Sequence, residues 1–221
     1  ALVYCGYIGG TQGDHCNCLA VDSSGNAYVA GRASSREDTF PVTIGPDLTF
    51  NGYYDAFVAK INSDGTALVY CGFIGGNDSE YAYDIAVDAE GNAYVFGPTQ
   101  STEATFPVSV GPDLTYNGGY GDAFIAKVVA DGTALAYCGF LGGSSAEYAG
   151  ALAVDAEGSA YLTGNTASDE MTFPISVGPD LTFNGGGMDG FVAKVNARGT
   201  ALTYCGYIGG AGWDFGNGIA V

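Results

Sequence analysis

Residues suited to chemistry are scarce in this chain of 221 residues, and nearly all of them come in series. His15, the only histidine, stands beside Cys16 and Cys18 in the run HCNC, a set of types that would suit a soft metal or a reactive thiol. Four more cysteines, Cys5, Cys71, Cys138 and Cys205, are separated by 66, 67 and 67 residues. Carboxylates keep the same rhythm. Asp14, Glu80, Glu147 and Asp214 make one series, Asp22, Asp88 and Asp155 a second, Asp47, Asp113 and Asp180 a third, and Asp55, Asp122 and Asp189 a fourth. Lys60, Lys127 and Lys194 add one ammonium per period to a chain with only 6 Lys plus Arg.

The rhythm comes from a repeated motif, ALVYCGYIGG at Ala1, ALVYCGFIGG at Ala67, ALAYCGFLGG at Ala134 and ALTYCGYIGG at Ala201. Self-similarity at a fixed period implies one structural unit that buries its apolar faces against copies of itself. Counted from the motif, the units are about 1–66, 67–133 and 134–200, with a partial copy at 201–221. Both ends fall inside a unit, so the sequence reads as a window of a longer array or a mature fragment.

Aligning the copies reassigns most of the chemistry. The His15 slot holds Tyr81, Tyr148 and Phe215, so it reads as an aromatic packing position. The Cys16 slot holds Ala82, Ala149 and Gly216, which calls for a small side chain, and a zinc site would need ligands that are not visible. Carboxylates that recur in every unit argue against catalysis, which needs one asymmetric site, and they fit turn capping. They also suit calcium, with Asp22, Asp88, Asp155, Asp47, Asp113 and Asp180 as candidate ligands, although no EF-hand loop or RTX nonapeptide is present. No other cofactor is implied. Each recurring lysine is expected to pair with a recurring carboxylate.

The recurrent cysteines read as buried thiols; a bridge from one of them to Cys16 or Cys18, or links between molecules, are the alternatives. Disulfides between equivalent cysteines are disfavoured, because neighbouring units diverge and a bridge needs Cα atoms within about 7 Å. Asn77-Asp78-Ser79 is a sequon whose bland reading is a chance match. GxSxG, P-loop, HExxH and CxxC motifs are absent from the sequence.

The elements that would carry these residues are strands. With 37 glycines, 16 tyrosines and 12 phenylalanines, the composition favours strands and tight turns. Asp84–Asp88 (DIAVD) predicts a short strand, Ala89-Glu90-Gly91 a turn with positive φ at glycine, and Asn92–Gly97 the returning strand. A connection of about twenty residues follows, kept out of central strands by Pro107 and Pro112, with Pro41, Pro46, Pro174 and Pro179 as equivalents. DAFIAKV and ALAYCGFLGG complete a second hairpin. In DAFVAK, Phe57 and Ala59 face one way and Ala56 and Val58 the other, so both faces of the sheet are covered. The expected fold is all-β, built of tandem four-stranded antiparallel blades of a β-propeller in a partial or open ring, with a superhelical stack of β-blades as the alternative.

A formal net charge of −18 excludes nucleic-acid backbones and anionic membrane surfaces as partners and favours solubility. The apolar runs are too short to insert in a membrane as helices.

The run D-x-x-x-x-IAVD-x-x-GN-x-YV-x-G, then FPV, DAFVAK-x-x-x-DG-x-x-L-x-Y and G-[YF]-[IL]-GG resembles the SBBP (bacterial β-propeller) repeat over essentially the whole chain. The resemblance implies a propeller of the kind found in large secreted or cell-surface proteins, often beside adhesion modules, and no set of catalytic residues. Two features depart from it. A cysteine stands in the last strand of each copy, and three and a third units are too few to close the usual ring. The expected function is therefore a non-catalytic extracellular structural or interaction protein, within a surface assembly or filament made with other copies or further repeats. The alternative is a module binding glycans, ligands or surface proteins through Tyr53, Tyr54, Tyr120, Met188 and Trp213; a polysaccharide-active enzyme ranks below both.

Overall fold

A computed structural model describes residues 2–221; Ala1, the first residue of the first motif copy, lies outside the described residues. Twelve strands and no helix are present among the described residues, and no helix is long and apolar enough to cross a membrane. The first sheet orders β1 (His15–Val21), β2 (Ala27–Ala33), β3 (Asp55–Ile61) and β4 (Leu68–Ile74). The second orders β5 (Asp84–Val87), β6 (Ala93–Thr99), β7 (Asp122–Val128) and β8 (Leu135–Leu141). The third orders β9 (Glu147–Val154), β10 (Ala160–Thr166), β11 (Asp189–Val195) and β12 (Leu202–Ile208). All pairings are antiparallel meanders, as the hairpin signals predict. First strands of neighbouring sheets touch, β1 with β5 and β5 with β9, and the three sheets make an open row rather than a closed ring.

The alternating strand pattern decides the core. Phe57 and Ala59 of β3 pack on one side with Phe40, Phe50 and Phe73, while Ala56 and Val58 pack on the other with Ile85, Val95 and Phe124 of the second sheet. A second shared core joins Tyr94, Ile125 and Leu141 to Leu152, Leu162 and Phe191 of the third sheet. Each seam is thus one continuous hydrophobic interface between consecutive sheets.

Asp-x-x-Gly turns close the first hairpins. The Gly25, Gly91 and Gly158 amides donate to the Asp22, Asp88 and Asp155 carbonyls, with φ of +84°, +85° and +82°. The long Pro-containing connections fold back over the outermost strand. Cys71 N–H donates to the Ile44 carbonyl and Phe73 N–H to the Asp47 carbonyl, each at 2.8 Å, and the other sheets repeat this at Val110, Asp113, Val177 and Asp180. Pairing the edge in this way covers groups that would otherwise template aggregation.

The sheets run 15–74, 84–141 and 147–208, and the ALxYCG copies at Ala67, Ala134 and Ala201 supply their last strands β4, β8 and β12, as the second-hairpin pattern predicts. The first motif copy forms no strand over residues 2–10. It still occupies a seam: the Tyr4 ring lies over Gly65 as Tyr70 lies over Gly132 and Tyr137 over Gly199.

Candidate functional site

The polar residues singled out by the repeat gather at the seams and at one rim. At the first kind of seam site, Asp88 Oδ1 accepts from Asn92 N–H at 2.8 Å, and Oδ2 accepts from Asn92 Nδ2 at 2.8 Å and Tyr94 Oη at 3.0 Å. Lys127 Nζ lies 3.1 Å from the same Oδ2 and 4.7 Å from the Tyr94 ring centroid. The single phenol hydrogen of Tyr94 is shared with the Gly158 carbonyl, 3.1 Å away in the next sheet. Burial opposes ionisation of Asp88, but the Asn92 hydrogen bonds and the Lys127 ammonium outweigh it and hold the carboxyl below its ordinary value. Asp155, Tyr161 and Lys194 repeat the knot, with a 3.1 Å ion pair. In the first sheet Asp22 bonds Asn26 and Tyr28, and Lys60 turns to the Ala130 carbonyl at 3.5 Å, so the expected lysine–carboxylate pair forms in two copies of three among the described residues.

These contacts bear on the calcium candidates. Asp88 and Asp155 face an ammonium where a cation would sit, and Asp22 is taken up by its own hairpin. Asp47, Asp113 and Asp180 lie in separate turns, where each caps a threonine amide (Thr49, Thr115, Thr182) at 2.9 Å and holds an asparagine side chain. No group of three or more His, Cys, Asp or Glu placed to hold a metal occurs among the described residues. All six carboxylates are thus engaged in turn or seam hydrogen bonds.

Removing only the phenol oxygen measures this seam. Tyr94→Phe keeps the ring and strips the Gly158 carbonyl of its donor, so it is expected to cost about 1–2 kcal/mol, a loss of a few degrees in thermal melting.

The second kind of site uses Glu80 and Glu147, both buried. Glu147 Oε1 accepts from Thr166 Oγ1 at 2.6 Å and Ser168 Oγ at 2.7 Å, and Oε2 accepts from Gly143 N–H at 3.0 Å. Glu80 accepts likewise from the Thr99 hydroxyl at 2.7 Å and the Gly76 amide at 2.8 Å, but takes the Ser101 backbone amide, at 3.3 Å, in place of the serine hydroxyl. Burial raises both carboxyls above the usual glutamate value in spite of these bonds. Asp14 and Asp214, the shorter members of the series, bond Gly10 and Gly210. Next to Glu80 and Glu147 lie Asp55 and Asp122, fully buried at the starts of β3 and β7 and pushed by burial up to about 7. Sequence reading placed Asp122 and Glu147 in separate series and missed that the fold brings them together.

His15 is exposed rather than packed, and its equivalent Tyr81 instead stacks on Tyr54 at a centroid distance of 5.7 Å. The Arg32 guanidinium lies 4.8 Å from the Tyr54 centroid and 5.2 Å from that of Tyr81. Tyr53, Tyr120 and Trp213 are exposed, whereas Tyr54 and Met188 are half-buried. Cys71, Cys138 and Cys205 are buried free thiols, raised by burial, to about 12 for Cys71 and Cys205, so they stay protonated and inert. Cys5, Cys16 and Cys18 are free as well and line one groove of about 600 Å³ against the first sheet.

Four-stranded meanders, joined face to face through their first strands and edged by return loops, define blades of the β-propeller type. The family model of the SBBP repeat, a Beta-propeller repeat, matches residues 4–36, and the internal period brings similar residues back along the chain. Regulatory protein FlaEY of Caulobacter vibrioides is 30% identical over 230 residues, 96% of this chain and 22% of that protein. The chain therefore spans a small part of that relative's length.

Proposed function

We propose that this chain is a non-catalytic interaction scaffold at the cell surface, whose two end faces take further blades of the same repeat, from other copies or other repeats, in an extended assembly. One observation carries this reading. Leu19 is 61% exposed, while its equivalents Ile85 and Leu152, each covered by a preceding sheet, are 5% and 6% exposed. At the other end Ile208 is 56% exposed, while Ile74 and Leu141, each covered by a following sheet, are fully buried. Tyr204 has no following turn glycine under its ring, unlike Tyr70 and Tyr137. Both end faces therefore present the surface that the inner seams bury, and what covers that surface inside the chain is another blade. The relative's description as a regulatory protein is compatible with an interaction role and adds no chemistry to it.

The two faces are different surfaces, so the contact is head-to-tail, closing into a ring where the rotation between blades completes a circle and extending where it does not. Sedimentation is expected to show concentration-dependent association at physiological salt, where repulsion between acidic chains is screened. Leu19→Glu blocks one face and Ile208→Glu the other. Each variant alone should remain monomeric, and an equal mixture should stop at dimers through the two intact faces. A wild-type chain that stays monomeric at every concentration overturns the reading.

A second reading rests on the rim, where Arg32 is held between Tyr54 and Tyr81 and the adjoining Tyr53 is exposed, as is Tyr120 in the corresponding loop of the second sheet. Flat aromatic faces with a polar edge suit sugar rings and favour a glycan as a further ligand. Binding on a glycan array that is lost in Tyr54→Ala supports it, and an array without signal removes it.

A further inference from the structure

The seam between the second and third sheets contains two buried carboxylates that no cation neutralises. Asp122 opens β7 and Glu147 opens β9, with Gly142 and Gly143 between the sheets. Asp122 Oδ2 accepts from Asn117 N–H at 2.9 Å, whereas its Oδ1 is buried without a partner. Asp122 Oδ1 and Glu147 Oε2 each lie 2.7 Å from the point where a Cβ on residue 142 would stand, a point only glycine leaves free. The other titratable groups facing the pair are Asp113 and Tyr116 of the connecting loop, and Asp78 of the turn after β4 lies near Tyr116. Both ion pairs among the described residues lie at the other seam site.

Loop length explains the orphan oxygen. In the first sheet Asn51-Gly52-Tyr53-Tyr54 leads into Asp55, and Asn51 and Gly52 amides reach both of its oxygens, at 2.9 and 3.1 Å. The later loops, Asn117–Gly121 and Asn184–Met188, are one residue longer, and this is the residue that separates the 66 and 67 spacings. The insertion carries the second amide away, leaving Oδ1 of both Asp122 and Asp189 without a donor.

We propose that Asp122 and Glu147 hold one solvent-derived proton between them, Asp122 Oδ1–H donating to Glu147 Oε2, so that the seam is a proton-binding site absent from the unfolded chain. A buried pair of like charges is strongly disfavoured, and sharing a proton removes one of them. Two converging oxygens suffice for a proton, whereas calcium takes six to eight. Burial first, and then the charge of Glu147, push Asp122 up to about 7, consistent with a site that fills below neutrality. Because the folded value is raised, the stabilisation is complete below the ordinary aspartate value and is lost as pH rises through about 7.

Thermal melting between pH 5 and pH 8 tests the site. The wild-type chain is expected to lose on the order of 5 °C over that interval. Asp122→Asn, whose amide can donate permanently to Glu147 Oε2, should melt with wild type at pH 5 and above it at pH 8. An equal slope in the variant, or a lower melting point at pH 8, overturns the proposal. If that variant does not fold, infrared spectroscopy of an Asp55→Asn chain, which lacks the other aspartate raised to about 7, should still show a protonated carboxyl at pH 6 that titrates away near pH 7, and its absence overturns the proposal. A melting point at pH 8 raised by millimolar calcium in wild type and not in Asp122→Asn would assign the site to a metal ion and also overturn it.

Discussion

Gly139→Val is expected to detach the return loop from the second sheet and to cost about 4 kcal/mol or more, roughly 10 °C in melting temperature. The position is in regular strand β8, so the penalty is spatial rather than conformational. A Cβ there would stand 2.5 Å from the Gly111 Cα, 2.7 Å from the Asp113 carbonyl oxygen and 2.9 Å from Pro112 Cδ. Backbone atoms on that side cannot rotate away as a side chain would. They are pinned by hydrogen bonds on either flank, Cys138 N–H to the Val110 carbonyl at 2.7 Å and Phe140 N–H to the Asp113 carbonyl at 2.8 Å. Relief therefore requires the loop to lift, which frees the edge of β8 and uncovers Phe106 and Tyr116 where they pack on Phe140. Denaturant unfolding and limited proteolysis of residues 100–121 measure the effect. Gly218→Ala, where a Cβ meets nothing within 4 Å, is the control and should stay within about 0.5 kcal/mol of wild type.

Glu147→Ala is expected to cost about 3–5 kcal/mol by opening the seam from within. The truncation strands three donors in a buried site, the Gly143 amide and the hydroxyls of Thr166 and Ser168. All three are buried in or beside the Gly142–Gly143 segment, which links the second sheet to the third. Loss of the carboxylate also removes a repelling charge beside Asp122, whose carboxyl should then fall back toward the ordinary aspartate range. The variant is therefore expected to be less stable at every pH yet to show a weaker loss between pH 5 and pH 8. Melting curves across that interval read both effects, and an unchanged slope would mean that the two carboxylates do not interact.

Much of the architecture is legible in the chain because it is local. The Asp-x-x-Gly turns need only neighbouring residues, and the alternation in DAFVAK needs only the two-residue period of a strand. The internal alignment also carried the acidic series to structural roles, which their hydrogen bonds bear out at Asp22, Asp88 and Asp155. The slot shared by His15 and Tyr81 is a rim position: Tyr81 packs there on Tyr54 and Tyr83, whereas His15 is exposed. Counting from the motif starts each unit at the strand that ends a sheet, since a repeat in sequence has no inherent starting point.

The sequence by itself determined the strand, the hairpin, the period and the two-sided burial of each sheet, because each follows from spacing within a few residues or from identity between copies. Only the tertiary structure decided which carboxylates meet. Asp122 and Glu147 belong to different sheets, and their encounter depends on how β7 and β9 flank one glycine pair. Tertiary structure also decided that Leu19 is exposed where Ile85 and Leu152 are buried, although the three occupy one slot of the repeat. Burial is a property of what packs against a residue, and a repeated sequence writes the same side chain whether or not its neighbour is there.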